Sequence, residues 1–274
     1  MSLKHQYLSF LNSTSLWNSG TSYEFSIFNF EELIKNAIHP EIVQINIGEN
    51  EVLGKRVEHF FEYCITSSDR YDLLAKNIQV FDHKITIGEL DFIVKDLQQN
   101  KVLHIELVCK FYLYDTTLGD GLETWIGPNR KDSLLQKVKK LTLKQFPLLY
   151  KKETKPILEN LQLDVSKINQ QACFISYLFV PITLKHHTFP MINNNCIVGF
   201  WEKSNAFTDE QYGNYQFYIP QKKDWISNPK YCNTWFSFEE ILPQIQTSLL
   251  QKKSPLLWMK ENEDSYARFF VVWW

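Results

Sequence analysis

The 274-residue chain is short of the features that would mark a membrane, disulfide-rich or fibrous protein. No stretch approaches the roughly 20 consecutive apolar residues of a membrane-spanning helix, so no membrane partner is expected. Five cysteines stand at 64, 109, 173, 196 and 232, an odd count with no Cys-x-x-Cys pair. That excludes a disulfide framework or a zinc ribbon and fits a reducing compartment. Glycine and proline are sparse, at 9 and 10 residues, and no repeat or low-complexity tract occurs, so collagen-like and linker-like descriptions fail. A net charge of −2 excludes a generally basic nucleic-acid binder but leaves room for a local basic surface. Met1 to His5 do not lead into the apolar core and cleavage site of a signal peptide. A cytoplasmic, soluble protein is expected.

What remains is a globular composition, 44% hydrophobic and 22% charged, long enough to bury a core without staples. Aromatics reach 15%, and six of the eight tryptophans lie beyond residue 200, where core filling is the expected use. Three regions separate by pattern. Residues 1–45 mix short apolar pieces, including 41–47, with a short helix over 30–37. Residues 46–165 alternate helix, strands and helix, the signature of an α/β core. Residues 166–274 read as a strand-rich extension, continuous with the core or separate from it.

In the middle region, Leu53, Val57, Phe60 or Phe61, and Cys64 recur at helical spacing. Strands are expected over 77–81, 84–94 and 101–114, with the last two forming a hairpin through the polar turn 95–100. After a loop over 119–129, Asp132 is expected to cap a helix running to about Phe146. Further strands are expected over 172–180, 196–201, 216–219 and 266–273. Ser237 and Glu240 form a capping box for a helix to Leu250.

Side chains two apart on a strand share a face, about 6.6 Å apart. Glu89 and Asp91 therefore project together from the first hairpin strand, and His104, Glu106, Val108 and Lys110 from the second. The opposite faces, Leu90, Phe92, Val94 and Ile105, Leu107, Cys109, Phe111, Leu113, are uniformly apolar. Carboxylates set in a sheet that is otherwise buried need a partner or a cation. Mg²⁺, or Mn²⁺ in its place, takes one or two carboxylates and leaves positions for water and phosphate oxygens, so Asp91 and Glu106 are the expected ligands. Lys110 would hold an attacking water and offset charge developing on a phosphate. His104 is expected to satisfy a local hydrogen bond, and Glu89 to occupy the polar face.

The run Gly88-Glu-Leu-Asp-Phe-Ile-Val94, a spacer, and then Val102-Leu-His-Ile-Glu-Leu-Val108 resembles the signature of the PD-(D/E)XK nuclease superfamily. There, a Gly-Glu-apolar-Asp strand is followed by an apolar strand carrying Glu-x-Lys. More narrowly, Trp125-Ile-Gly-Pro-Asn129, Asp132-Ser-Leu-Leu135 and Lys110-Phe-Tyr-Leu113 resemble an uncharacterised bacterial family assigned to that superfamily. The resemblance covers roughly residues 49–146. It implies a restriction-endonuclease-like core, a mixed central sheet flanked by helices. It also implies metal ligands at Asp91 and Glu106, with Glu58 on the preceding helix as a further acidic contributor. The chain departs from the pattern at Val108, which stands where the lysine should fall. Lys110 lies one strand repeat further along the same face.

On the helix after the hairpin, Lys137, Lys140 and Lys144 are spaced to line one face. Seven lysines stand against one acid between residues 137 and 155. Such a stripe suits a phosphate backbone. The function expected is a Mg²⁺-dependent phosphodiesterase of endonuclease type acting on nucleic acid, with DNA ahead of RNA. The alternative is a nuclease-fold module that has lost turnover and binds nucleic acid or protein.

Overall fold

A computed structural model describes residues 1–18, 24–36 and 45–274 of the chain. Helix α1 (Leu3–Leu11), strand β1 (Ser26–Ile27) and helix α2 (Phe30–Asn36) precede the longer helix α3 (Leu53–Thr66). The helix expected over 30–37 and the apolar piece at 41–47 lie partly outside the described residues. Helix α3 forms because Leu53, Val57, Phe60, Phe61, Cys64 and Ile65 recur every three or four residues, and all six are buried. Full burial of Phe60 and Phe61 contributes about 2–3 kcal/mol each. Arg56, buried on the same helix, donates to the carbonyls of Gly48, Glu49 and Glu51 and to Gln6 Oε1. These bonds tie both the approach segment and α1 to α3.

Three antiparallel strands follow, β2 (Tyr71–Asp82), β3 (Ile85–Asp96) and β4 (Lys101–Tyr114). β2 outruns the expected 77–81 because it pairs with β3 along almost its whole length, from Tyr71 opposite Asp96 to Asp82 opposite Ile85. The loop after β4 contains a short strand, β5 (Trp125–Ile126), which pairs with the end of β4. Helix α4 (Leu134–Lys140) continues through a π turn at Leu141–Gln145 into α5 (Phe146–Leu148), and α6 (Lys155–Asn160) follows. The cap of α4 is Ser133, not Asp132: Ser133 and Gln136 form a reciprocal capping box. Asp132 turns to Lys110 instead. The remaining elements are β6 (Ile168–Pro181), β7 (Ile197–Lys203), α7 (Asp209–Tyr212), β8 (Gln216–Tyr218), α8 (Phe238–Leu250), β9 (Leu256–Lys260) and β10 (Tyr266–Val272). The capping box expected at Ser237 and Glu240 opens α8.

The strands build one mixed sheet in the order β2-β3-β4-β6-β7-β10-β9-β8, with β1 beside β6 and β5 beside β4. The parallel pairs β4–β6, β6–β7 and β7–β10 carry the sheet from the central region into the residues after 166. Gly199 makes one of these joins possible. A Cβ there would lie 2.1 Å from the Arg268 carbonyl oxygen, so only glycine lets β7 and β10 approach.

Strand alternation assigns the two faces. Phe92, Val94, Ile105, Phe111, Cys173 and Ile175 pack with residues of α1, α2 and α3. Val108, Tyr112, Phe174 and Leu178 pack under Leu134, Val138 and Leu141 on the other face. Phe269 and Val271 extend that second face beneath Phe238, Ile241 and Ile245 of α8. Leu90, expected beside Phe92, packs with Val80, Ile93 and Leu148 at the stretch where β3 pairs with β2 alone. The fold is mixed α/β, a large central sheet flanked by helices. Trp258 is fully buried in it and Trp201 nearly so. All five cysteines are free thiols. Among the described residues no helix is long and apolar enough to cross a membrane.

Candidate active site

The site is built where β3 and β4 separate. Their last paired residues are Phe92 and Ile105, and beyond them β3 follows β2 while β4 follows β6. Asp91 and Glu106 are the next residues on the two diverging strands: Glu106 faces α4, and Asp91 turns into the gap between the strands. At the fork a side chain replaces the lost ladder bond: Asp91 Oδ2 accepts from the Leu107 backbone N–H at 2.9 Å. Burial, followed by the charge of Glu106, pushes the Asp91 carboxyl up to about 8. The Leu107 N–H and the Lys137 ammonium oppose that rise, and Glu58 adds to it.

Glu106 is fully buried and both of its oxygens are engaged. Oε1 meets His104 Nε2 at 2.9 Å, and Oε2 accepts from the Gln145 side-chain amide. His104, equally buried, faces the Gln170 amide nitrogen through Nδ1 at 2.9 Å. That nitrogen also donates to the Phe146 carbonyl at 2.8 Å. With Nδ1 accepting, the network assigns the imidazole proton to Nε2, directed at Glu106. His104 thus satisfies a local bond, as expected, and orients an acid in doing so.

Gln145 joins this acid to a lysine. Its oxygen accepts from Lys137 Nζ at 2.8 Å while its nitrogen donates to Glu106. On a regular α-helix residues eight apart are offset by about 80°, not one directly below the other. The π turn at Leu141–Gln145 adds the residue that brings Gln145 beneath Lys137. The same turn takes Lys144 out of line, so the expected stripe divides. Lys140 and Lys144 are exposed, while Lys137 faces the carboxylates. Burial lowers the Lys137 ammonium to about 8, against the opposing pull of Glu106 and Asp91.

The remaining candidates flank this centre. Glu58 on α3 pairs with Lys55 at 2.6 Å, and Lys55 also lies 3.8 Å from Glu89. Glu58 and Glu89 thus share one lysine at the rim, close enough for Glu58 to bear on Asp91. Lys110 does not join Asp91 and Glu106. Its ammonium bonds Asp132 Oδ2 at 2.8 Å, with both side chains about two-fifths exposed. Both lysines are partly buried, and it is Lys137 rather than Lys110 that is linked to Glu106. Val108, at the lysine position of the Glu-x-Lys pattern, packs against the hydrophobic face of α4. No motif or periodicity in the sequence marks Gln145 or Gln170. Only the Ser133-x-x-Gln136 box signals that the helix begins one residue later than Asp132 implies.

An open cleft of about 580 Å³ lies further along β4, at Cys109 to Phe111, and neither Asp91, Glu106 nor Lys137 contributes to its walls. Lys110, Phe111, Asp132, Lys222 and Trp225 contribute to its walls.

Among the described residues no group of three or more His, Cys, Asp and Glu side chains is arranged as a metal cage. The two carboxylates at the fork form a smaller donor set. Asp91 Oδ1 makes no hydrogen bond among the described residues, and the carboxyl is raised by a neighbouring acid, a condition that a cation between them reverses. Hard oxygen donors and at most two carboxylates suit Mg²⁺ or Mn²⁺ and not a soft metal.

A family model described as Domain of unknown function (DUF1853) matches residues 28–272, which includes α3, the forked strands, α4 and the sheet through β10. No curated protein and no solved structure matches the chain. The chain therefore belongs to the DUF1853 family.

Proposed function

We propose that the chain is a divalent-cation-dependent phosphodiesterase acting on nucleic acid, DNA ahead of RNA, on a restriction-endonuclease-like core. The observation that carries this reading is the fork itself. It brings Asp91 and Glu106 together beside a half-buried amine, Lys137, that a single amide links to Glu106. The Gly-Glu-Leu-Asp and Ile-Glu-Leu segments that resemble the PD-(D/E)XK signature are the two strands of this fork.

Asp91 and Glu106 would hold Mg²⁺ or Mn²⁺, which supplies Lewis-acid neutralisation of the phosphate charge. The chain's own groups do the rest. His104 and Gln145 fix the two oxygens of Glu106, so the acid needs little reorganisation. Lys137, lowered to about 8, has an accessible neutral form near physiological pH. As the amine it takes a proton from an attacking water, and as ammonium it offsets charge on the phosphoryl oxygens. Lys137 thereby fills the role that the motif gives to a lysine at position 108. Glu58, held by Lys55, contributes through water at the rim. Lys140 and Lys144 contact the phosphate backbone.

The test is cleavage of plasmid DNA, single-stranded DNA and RNA in Mg²⁺ or Mn²⁺ by the wild-type chain, Asp91→Asn and Glu106→Gln. Cleavage by the wild type that both variants lose supports the reading. Undiminished cleavage by either folded variant rejects it. A second reading, a nuclease-fold module without turnover, draws on Val108 and on the closed-in Glu106. Tight nucleic-acid binding with no cleavage in either metal would favour it.

A further inference from the structure

A second cavity, of about 410 Å³, opens on the α1 side of the sheet, the face opposite Glu106. Asn12 just after α1, Tyr177 of β6, Asn228 and Lys230 of the segment after β8, and Arg268 of β10 contribute to its polar lining. Two of these are cations, and none of the described lining residues is an acid. The Tyr177 hydroxyl is already shared with Ser13 at 2.5 Å. The Lys230 ammonium rests against the Tyr231 ring and makes no ion pair among the described residues.

Arg268 is the unusual member. It is partly buried, its unbonded N–H groups are not sealed in protein but belong to the cavity wall, and burial lowers its pKa from the ordinary arginine value. It nevertheless makes a single hydrogen bond, from Nη2 to the Ser227 carbonyl at 2.8 Å, and no ion pair among the described residues. A guanidinium carries five N–H donors and is never given up as a neutral group in proteins. Donors of a permanent cation that line a cavity and lack partners within the chain favour an anion there.

We propose that this cavity is a ligand site, independent of the phosphodiesterase reading, that takes a small phosphate monoester. Arg268 grips the phosphoryl oxygens through its planar fork. Lys230 at the mouth matches the second negative charge. Leu8, Val198 and Ile226 give the organic group an apolar wall. The volume lies in the range of pockets that enclose small molecules. None of the residues at the β3–β4 fork takes part.

Calorimetric titration and thermal melting of the full chain with inorganic phosphate, phenyl phosphate and benzoate test the proposal. One phosphate site is expected, with phenyl phosphate tighter than inorganic phosphate and benzoate weaker than phenyl phosphate. Arg268→Met should abolish binding, and in anion-free buffer its own Tm should stay close to that of the wild type, because the guanidinium makes no ion pair among the described residues. An arginine serving only the fold would instead leave a lower Tm. Arg268→Lys, which keeps the charge and loses the fork, should weaken phenyl phosphate about tenfold. That variant carries the test if Arg268→Met does not fold. Asp91→Asn should bind phenyl phosphate as the wild type does. Absence of phosphate binding by the wild type, wild-type affinity in both Arg268 variants, or benzoate binding more tightly than phenyl phosphate would overturn the assignment.

Discussion

Lys137 places its ammonium 2.8 Å from the side-chain oxygen of Gln145, and the nitrogen of that amide donates to Glu106. The amide holds amine and acid in one assembly without locking them into a direct ion pair. An amine held this way, lowered to about 8, can change its protonation state near physiological pH.

The first prediction separates the two lysines. Lys137→Met should lower kcat by about 10²- to 10⁴-fold, the range for losing a general base. Lys110→Met removes a half-exposed ion pair with Asp132 and should cost no more than about threefold, as exposed pairs contribute little. Steady-state kinetics on a short duplex reads both. Comparable losses in the two variants would remove the special role given to Lys137.

The second concerns pH. The Asp91 carboxyl is raised to about 8 from 3.8, so the folded chain holds that proton more tightly than the unfolded one. The resulting stabilisation is complete below about pH 4 and lost as pH rises through about 8. The Lys137 ammonium is lowered to about 8 from 10.5, so its contribution is complete above about pH 10.5 and lost as pH falls through about 8. Together the two groups leave the chain least stable near pH 8. Asp91→Asn removes the acid limb, so in urea melts its advantage over the wild type should grow from pH 4 to pH 8. Parallel curves for the two proteins would rule out a raised Asp91.

The third tests the departure at position 108. Val108 is packed beneath α4, so Val108→Lys puts an ammonium into that core instead of restoring a catalytic group. A destabilisation of about 3 kcal/mol or more is expected, the cost of an uncompensated buried charge. Unchanged urea stability with increased cleavage would show that the site still accepts its lysine on β4.

The fourth addresses the exposed lysines. Neutralising Lys140 and Lys144 together should flatten the salt dependence of nucleic-acid binding by about 0.9 in log–log slope for each phosphate that the chain no longer neutralises. A slope identical to that of the wild type would place the backbone elsewhere on the surface.

Much of this arrangement is legible in the sequence because strand alternation has a fixed period. Glu106 falls opposite Ile105 by that period alone, whereas Glu89, expected on the same face, meets Lys55 of α3, and Leu90 packs with Ile93, because β3 does not alternate strictly before Phe92. The helical period of α3 and the Ser237–Glu240 box are equally readable. What the sequence hides depends on interactions between distant residues. A 3.6-residue period sets Lys144 beneath Lys137, whereas the π turn at Leu141–Gln145 sets Gln145 there. Nothing in the local sequence announces that turn. The full length of β2 is set by pairing with β3, and β9, absent from the strands expected, is set by pairing with β10 and β8. Asp132 reads as a helix cap until Lys110, 22 residues away, claims its carboxylate.

The most direct test of the central claim is Mn²⁺ binding followed by electron paramagnetic resonance at pH 7 to 8 in the wild type, Asp91→Asn and Glu106→Gln. The account predicts one bound ion in the wild type, lost or greatly weakened in both variants while their circular dichroism stays native. No binding by the wild type, or equal binding by all three proteins, would contradict it.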